Sequence, residues 1–199
     1  MSEEIKDRMD IFGESLKDID LNGKKISNAE FDDCTFINCN FSESFFYSCT
    51  FRSCKFKNCD LTLAKFTDSK IGDCDFISCK LIGIDWTMCN WQSILSSEPM
   101  RFDSSILTGC NFFGLNLDGL VAKECVVKDV DFTNSSLKNG IFKESDFHKS
   151  IFSSTQLQDA DFTDARNVSM KISANHFKNT KISHFDALSL LEFEGIVVK

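Results

Sequence analysis

The residues able to do chemistry in this chain are ten cysteines, three histidines and a recurrent set of aspartates. Clustered cysteines hold zinc or pair as disulfides only when their spacing brings them together suitably. Here Cys34, Cys39, Cys49, Cys54, Cys59, Cys74, Cys79 and Cys89 are all separated by multiples of five, as are Cys110 and Cys125. That spacing matches no zinc knuckle. Each cysteine reads instead as a small buried apolar residue. His148, His176 and His184 have no partner at the spacing of a metal-binding helix or a nucleophilic triad. Asp60, Asp75 and Asp131 each precede a large apolar residue. Their recurrence points to turn or ladder hydrogen bonds rather than to paired catalytic carboxylates. There is no glycine-rich phosphate loop, GxSxG or HExxH segment. The expectation is a protein that is not an enzyme and takes no metal or cofactor.

The spacing of five has its own meaning. Every fifth residue from Leu16 through Phe36, Phe56 and Phe76 to Trp91 is large and apolar. Two residues before each lies a mostly small one, such as Ala29, Cys34, Cys39, Ser44 and Cys49. A helix repeats at 3.6 and a strand at 2, so this is a third geometry. The series slips by one and resumes at Phe102, running to Phe162 with only Ala122 small. It breaks at Asn167 and returns at Ile172, Phe177 and Ile182. Residues 92–101 read as a loop that interrupts the stack, and they hold the single proline, Pro99. Leu95, Glu98, Met100 and Arg101 are its candidate contact residues, against the alternative of a neutral insertion.

If four pentads close one coil, residues twenty apart lie above one another at about 4.8 Å. Columns such as Leu16/Phe36/Phe56/Phe76, Ile26/Phe46/Phe66/Trp86 and Leu117/Leu137/Leu157/Phe177 then continue one core from coil to coil. Outward positions at Ile106, Val121, Val126, Ile141 and Ile151 are apolar. Val121 and Ile141 would stack on one face, either as a contact stripe or as a face covered by the loop or merely tolerant of β-branched residues.

A solenoid needs caps at its ends. Ser2, Glu3 and Glu4, followed by Ile5, Met9 and Phe12 on one face, predict a short N-terminal capping helix. Near the other end, Asp186 is placed to cap a helix over Ala187–Glu194, with Leu188, Leu191 and Leu190 as its apolar side and Gly195 as its stop. The tail Ile196-Val197-Val198-Lys199 is β-prone. It serves either as a dimer edge, with Leu188, Leu191, Ile196, Val197 and Val198 at the interface, or as packing on its own last coil. The division expected is 1–13, 14–184 and 185–199.

The chain has 199 residues, 21 Phe and a formal net charge of −8. That balance argues against direct nucleic-acid binding, which needs a basic footprint. No stretch approaches the roughly 20 apolar residues of a membrane span, and the N-terminus lacks a secretory layout. A cytoplasmic location with reduced thiols is expected. Residues 1–99 carry 17 acidic and 11 basic residues, against 13 and 11 in residues 100–199, so the acidity is uneven.

Units such as Cys39-Asn40-Phe41, Cys59-Asp60-Leu61, Cys74-Asp75-Phe76 and Ala160-Asp161-Phe162 resemble the pentapeptide-repeat family, with its A-(D/N)-L-x-x consensus. The resemblance covers roughly residues 14–184. It implies an all-β fold, a right-handed quadrilateral β-helix solenoid with short terminal helices. The ending DALSLLEFEGIVVK, with Leu107-Thr108-Gly109-Cys110-Asn111 and Gly83-Ile84-Asp85, is similar to the Qnr and related gyrase-protecting members. The run from Leu16 to Trp91 leaves no room for a second projecting loop, and in that it looks closer to the microcin-immunity and albicidin-resistance members. The resemblance implies a homodimeric DNA mimic that protects DNA gyrase or topoisomerase IV from a drug or peptide toxin such as a quinolone, conferring resistance or self-immunity. The alternative is a scaffold or interaction module with a different partner.

Overall fold

Every pentad runs extended through its central residue and then turns. In an extended segment alternate side chains point to opposite sides. In β1 (Asp10–Phe12) and β2 (Ser15–Lys17) the centre is therefore buried between two exposed neighbours. The residue two after the centre takes a left-handed backbone, with φ of 52–57° at Asp18, Asn28, Asp33, Asn38 and Asn58. Short polar side chains tolerate that region better than others do. Four such corners bring the chain back over its starting point. The computed structural model, which describes residues 5–91 and 100–197, is a parallel β-solenoid of about eight coils with four ladders around it.

The first ladder joins β1, β4 (Glu30–Asp32), β7 (Thr50–Arg52) and β9 (Lys70–Gly72). The second joins β2, β5 (Thr35–Ile37), β8 (Lys55–Lys57), β10 (Asp75–Ile77), β11 (Arg101–Asp103) and β12 (Val121–Lys123). β13 (Asp161–Phe162) and β14 (Lys181–Ile182) continue it beyond the Val121–Ile141–Asp161 bridges. The third ladder is a series of single bridges from Asp20 through Asn40, Asp60, Lys80, Ile106, Val126 and Asp146 to Arg166. The fourth holds β3 (Lys25–Ser27) and β6 (Phe45–Tyr47). The expected register holds: Leu16 pairs with Phe36, Phe36 with Phe56, and Phe56 with Phe76. Phe76 then pairs with Phe102, an offset of 26 where the other coils have 20. The interruption is thus an insertion that leaves the ladder continuous on both sides.

The interior is built from stacked rings. Phe36, Phe56, Phe76 and Phe102 lie 4.8, 4.8 and 5.2 Å apart with nearly parallel planes. A second column runs Phe46, Phe66, Trp86, Phe112, Phe132 and Phe152. The two expected columns that reach Phe76 and Trp86 therefore continue past the insertion.

Expectations at both ends need correction. Ser2, Glu3 and Glu4 lie outside the described residues, and residues 5–13 form no helix: Asp10–Phe12 pairs with Glu30–Asp32, Ile11 is buried and Phe12 is exposed. Ile11 lies five residues before Leu16, and Gly13 at φ 69° supplies the left-handed corner, so the first coil begins here. Asn167 sits left-handed and exposed at the break, and Val168 is buried there. Met170 is also buried, whereas Ile172 lies in a 3-10 turn and is exposed.

Helix α1 spans His184–Phe193, starting three residues before the expected segment. Its cap is Ser183, whose Oγ accepts from the Asp186 N–H at 3.3 Å. Asp186 is the third helical residue, not the cap, and the Ser183 hydroxyl donates to its carboxylate. Gly195, at φ 81°, does stop the helix: its N–H reaches the Glu192 carbonyl and Ile196 N–H reaches that of Leu191, a Schellman motif. Glu194 Oε1 accepts from Ser173 N–H at 2.9 Å and Ser173 Oγ at 3.1 Å, which pins the helix end to the last coil.

Candidate interaction surfaces

All ten cysteines are buried and unpaired. Their role is visible in their hydrogen bonds. Cys34 Sγ donates to the Ile11 carbonyl at 3.3 Å, and Cys79 Sγ to the Phe56 carbonyl at 3.3 Å. Ser69 and Ser145 use the equivalent position in the same way, donating to Phe46 and Ala122 carbonyls at 3.0 Å. The small inward residue is thus a space-filler with one donor for the coil beneath. Burial pushes the thiols of Cys89, Cys110 and Cys125 up to about 12, so these three stay protonated at neutral pH. Cys74 is raised by burial and by its hydrogen bond with Cys54, and that same bond pulls Cys54 down. No group of three potential metal-ligating side chains is found among the described residues.

Asp60 and Asp131 do make turns, as do other aspartates at this position. Asp60 accepts from Thr62 N–H at 3.0 Å, Asp131 from Thr133 N–H at 2.8 Å and Asp161 from Thr163 N–H at 3.0 Å. Asp75 lies 4.0 Å from the Arg101 guanidinium. Asp161 sits on the second face between Lys143 and Lys181, at 3.4 and 3.5 Å. Burial alone would raise its pKa, but the Thr163 hydroxyl and N–H and the Lys143 ammonium overcome that and hold it at about 2. His148, His176 and His184 are exposed.

The expected contact residues divide. Leu95 and Glu98 lie outside the described residues. Met100 is not a surface contact: it is buried at the small inward position, because the coil has already resumed there. Arg101 is exposed on β11. Val121 and Ile141 stack on one face as expected, while the other apolar outward positions lie on other faces. Val121 and Ile141 are bridged on the second face, Ile106 and Val126 on the third, and Ile151 belongs to the fourth. On α1, Leu190 is the buried residue, while Leu188 and Leu191 are half-buried. Ile196 and Val197 are exposed, and Val198 lies outside the described residues.

A surface that sequence reasoning missed lies on the corner between the third and fourth faces. Phe45, Leu63 and Met88 are 37, 49 and 50% exposed and line a groove of about 500 Å³ with Ala64, Lys65 and Gly83. Leu63 is the one apolar side chain among the left-handed non-glycine positions of the described residues. Its Cδ2 lies over Gly83, where an added Cβ would come within 2.7 Å. Lys25 and Lys65 flank Phe45 in its own ladder, their ammoniums 5.7 and 4.7 Å from the ring centre. The signal available in the sequence was a leucine at a turn position that elsewhere takes a polar or charged residue or glycine.

No helix among the described residues is long and apolar enough to cross a membrane. No curated protein matches the chain in sequence. Among solved structures, a trypsin-treated variant of QnrB1, described as a plasmid-mediated fluoroquinolone resistance protein, is 19% identical with a TM-score of 0.71. The match covers 98% of this chain and 99% of that one. Full-length QnrB1 is 20% identical with a TM-score of 0.53, covering 96 and 99%. At such identity the likeness is one of fold. A pentapeptide repeat region model matches residues 29–98, and a model of eight pentapeptide repeats matches residues 128–164. With the five-residue period and the four-ladder solenoid that it builds, these matches place the chain in the pentapeptide-repeat family.

Proposed function

We propose that this protein protects a type II topoisomerase, DNA gyrase or topoisomerase IV, against a drug or peptide toxin. In this reading it is a non-enzymatic homodimer in the cytoplasm, with no cofactor. It occupies the surface on which the enzyme holds DNA, and so competes with the poisoned cleaved complex. The observation that carries the reading is the full-length fold likeness to QnrB1, a fluoroquinolone resistance protein, which spans both the solenoid and the end that bears α1. Charge supports it locally. Asp10, Glu30, Asp32 and Asp33 cluster on the first two coils of the first face, with Arg52 on the third coil paired to Asp32 at 2.9 Å. Clustered negative potential is what a surface built for DNA would attract.

The second reading, a scaffold with a different partner, draws on the second face. There Lys55, Lys57, Arg101, Lys123, Lys143 and Lys181 interleave with the acids, so that face offers no continuous negative field.

The deciding experiment titrates the purified protein into gyrase and topoisomerase IV supercoiling, decatenation and cleavage assays. Ciprofloxacin, a microcin-type peptide or albicidin is present or absent. Relief of poisoning at low protein, with inhibition of the enzyme at high protein, is the expected result. No effect on either enzyme with any poison would reject the topoisomerase reading and leave the scaffold.

A further inference from the structure

Six of the cysteines form two columns that the solenoid itself does not require. The small inward position is filled as well by Ala29, Ala64, Ser69 or Ser145, and serine makes the same bond to the coil beneath. Yet Cys34, Cys54 and Cys74 follow one another in successive coils before the second face, and Cys39, Cys59 and Cys79 before the third. Backbone bonds show the stacking. Lys55 N–H donates to the Cys34 carbonyl at 2.8 Å and Asp75 N–H to that of Cys54 at 2.9 Å. Asp60 N–H donates to the Cys39 carbonyl at 3.0 Å and Lys80 N–H to that of Cys59 at 2.9 Å. Elsewhere the neighbours are not thiols: Ser69 lies between Cys49 and Cys89, and Ser105 and Ser145 flank Cys125.

Adjacent strands lie about 4.8 Å apart, and a disulfide bridges Cα atoms roughly 4.4–6.8 Å apart. Each column therefore holds its thiols within bridging range. Cys54 and Cys74 already share a hydrogen bond, and so do Cys59 and Cys79. These bonds make the partners unequal. The Cys74 thiol donates to Cys54 and lowers its pKa, while burial and that same bond raise Cys74. The Cys59 thiol likewise lowers Cys79. Cys59 is eased down by Cys39, but its bond with Cys79 and burial push it up to about 12. A readier nucleophile beside a protonated neighbour is the arrangement of an oxidisable thiol and its resolving partner. Both pairs cross the same boundary, between the third and fourth coils.

We propose that these two coils carry a redox-sensitive staple, in which a hydroperoxide joins Cys54 to Cys74 and Cys79 to Cys59 as disulfides. With hydrogen peroxide, the Cys54 sulfur attacks one oxygen and the O–O bond breaks. The released hydroxide takes the thiol proton and leaves as water, and Cys54 becomes a sulfenic acid. The Cys74 sulfur then displaces the sulfenic hydroxyl, which takes the Cys74 proton and leaves as a second water. Each disulfide thus consumes one peroxide, which accepts the two electrons that the thiols lose. Burial restricts entry to a small neutral oxidant admitted by local opening of three-residue strands. Each bond closes a loop of about twenty residues and holds the two coils together on one side of the insertion. The inference is independent of which partner the rod binds.

The test treats the folded full-length protein with hydrogen peroxide, alkylates the remaining thiols and maps linked peptides by non-reducing mass spectrometry. The expected result is a loss of about 2 Da, two hydrogens, for each bond. The linked pairs should be Cys54–Cys74 and Cys59–Cys79, and the oxidised protein should have a higher urea midpoint than the reduced one. The double variant Cys59→Ser with Cys74→Ser retains the buried donors, as Ser69 and Ser145 do. Reduced, it should unfold near the parent's midpoint, and peroxide should no longer raise that midpoint. Disulfides scattered over the ten cysteines, or formed only in urea, would overturn the proposal. So would sulfinic or sulfonic products without an S–S bond, or thiols that survive millimolar peroxide unchanged.

Discussion

Asp161 shows how a single residue reports on the whole coil. Its carboxylate is held by Thr163 and by two lysines from the coils on either side. Its folded pKa of about 2 lies below the unfolded value of roughly 3.9. The contribution to stability is therefore complete above pH ~4 and is lost as the pH falls through about 2. The lysines are part-exposed, at 44 and 69%, so solvent screens some of the interaction. Asp161→Asn should cost about 1–2 kcal/mol at pH 7, after that discount. Urea midpoints of the two proteins, well apart at pH 7, should converge at pH 2. A gap that persists unchanged at pH 2 would assign the effect to the turn alone.

At the scale of the element, the repeating unit is a column rather than a strand. No three-residue strand is stable by itself, and each is held by the rings above and below it. Phe56 lies 4.8 Å from both Phe36 and Phe76 and is buried. Phe56→Ala should cost about 3–5 kcal/mol through lost transfer energy and a cavity that stacked neighbours cannot close. Chemical denaturation at fixed pH measures it, and a loss under about 1 kcal/mol would mean that the column collapses onto the gap. Gly83 is an element of another kind. At φ 68° and under Leu63 it accepts no side chain without displacing the groove wall.

For the whole molecule, the proposed dimer needs an end that can meet a second copy. Ile196 and Val197 are exposed beyond α1, as are Phe185 and Phe193 on it. A dimer through this end would bury them. Removing residues 188–199 should produce a monomer and abolish protection, but it also removes the buried Leu190. The pair Ile196→Glu with Val197→Glu leaves the core intact and is the cleaner change. Analytical ultracentrifugation should show this variant as a monomer with an unchanged thermal transition. A variant that remains a fully active dimer would place the interface elsewhere.

Spacing was enough to read the period and the helix stop at Gly195, and the family resemblance added the four-pentad coil that buries the cysteines and stacks the phenylalanines. Each rests on which residue recurs every five positions or on one residue's backbone preference, and such local rules survive folding. The start of the chain misled because Ile5, Met9 and Phe12 satisfy a helical face, yet Ile11 and Gly13 also continue the pentads, and pairing with the next coil decided between them. Asp186 and Ser183 are both caps by type, and the backbone bond from Asp186 to Ser183 chose the latter. Met100 reads as loop until Phe102 is seen to pair with Phe76. The groove was invisible for the same reason: Lys25, Phe45, Lys65 and Met88 are far apart along the chain. Only the stacking of coils, which brings residues twenty apart into contact, makes them one surface.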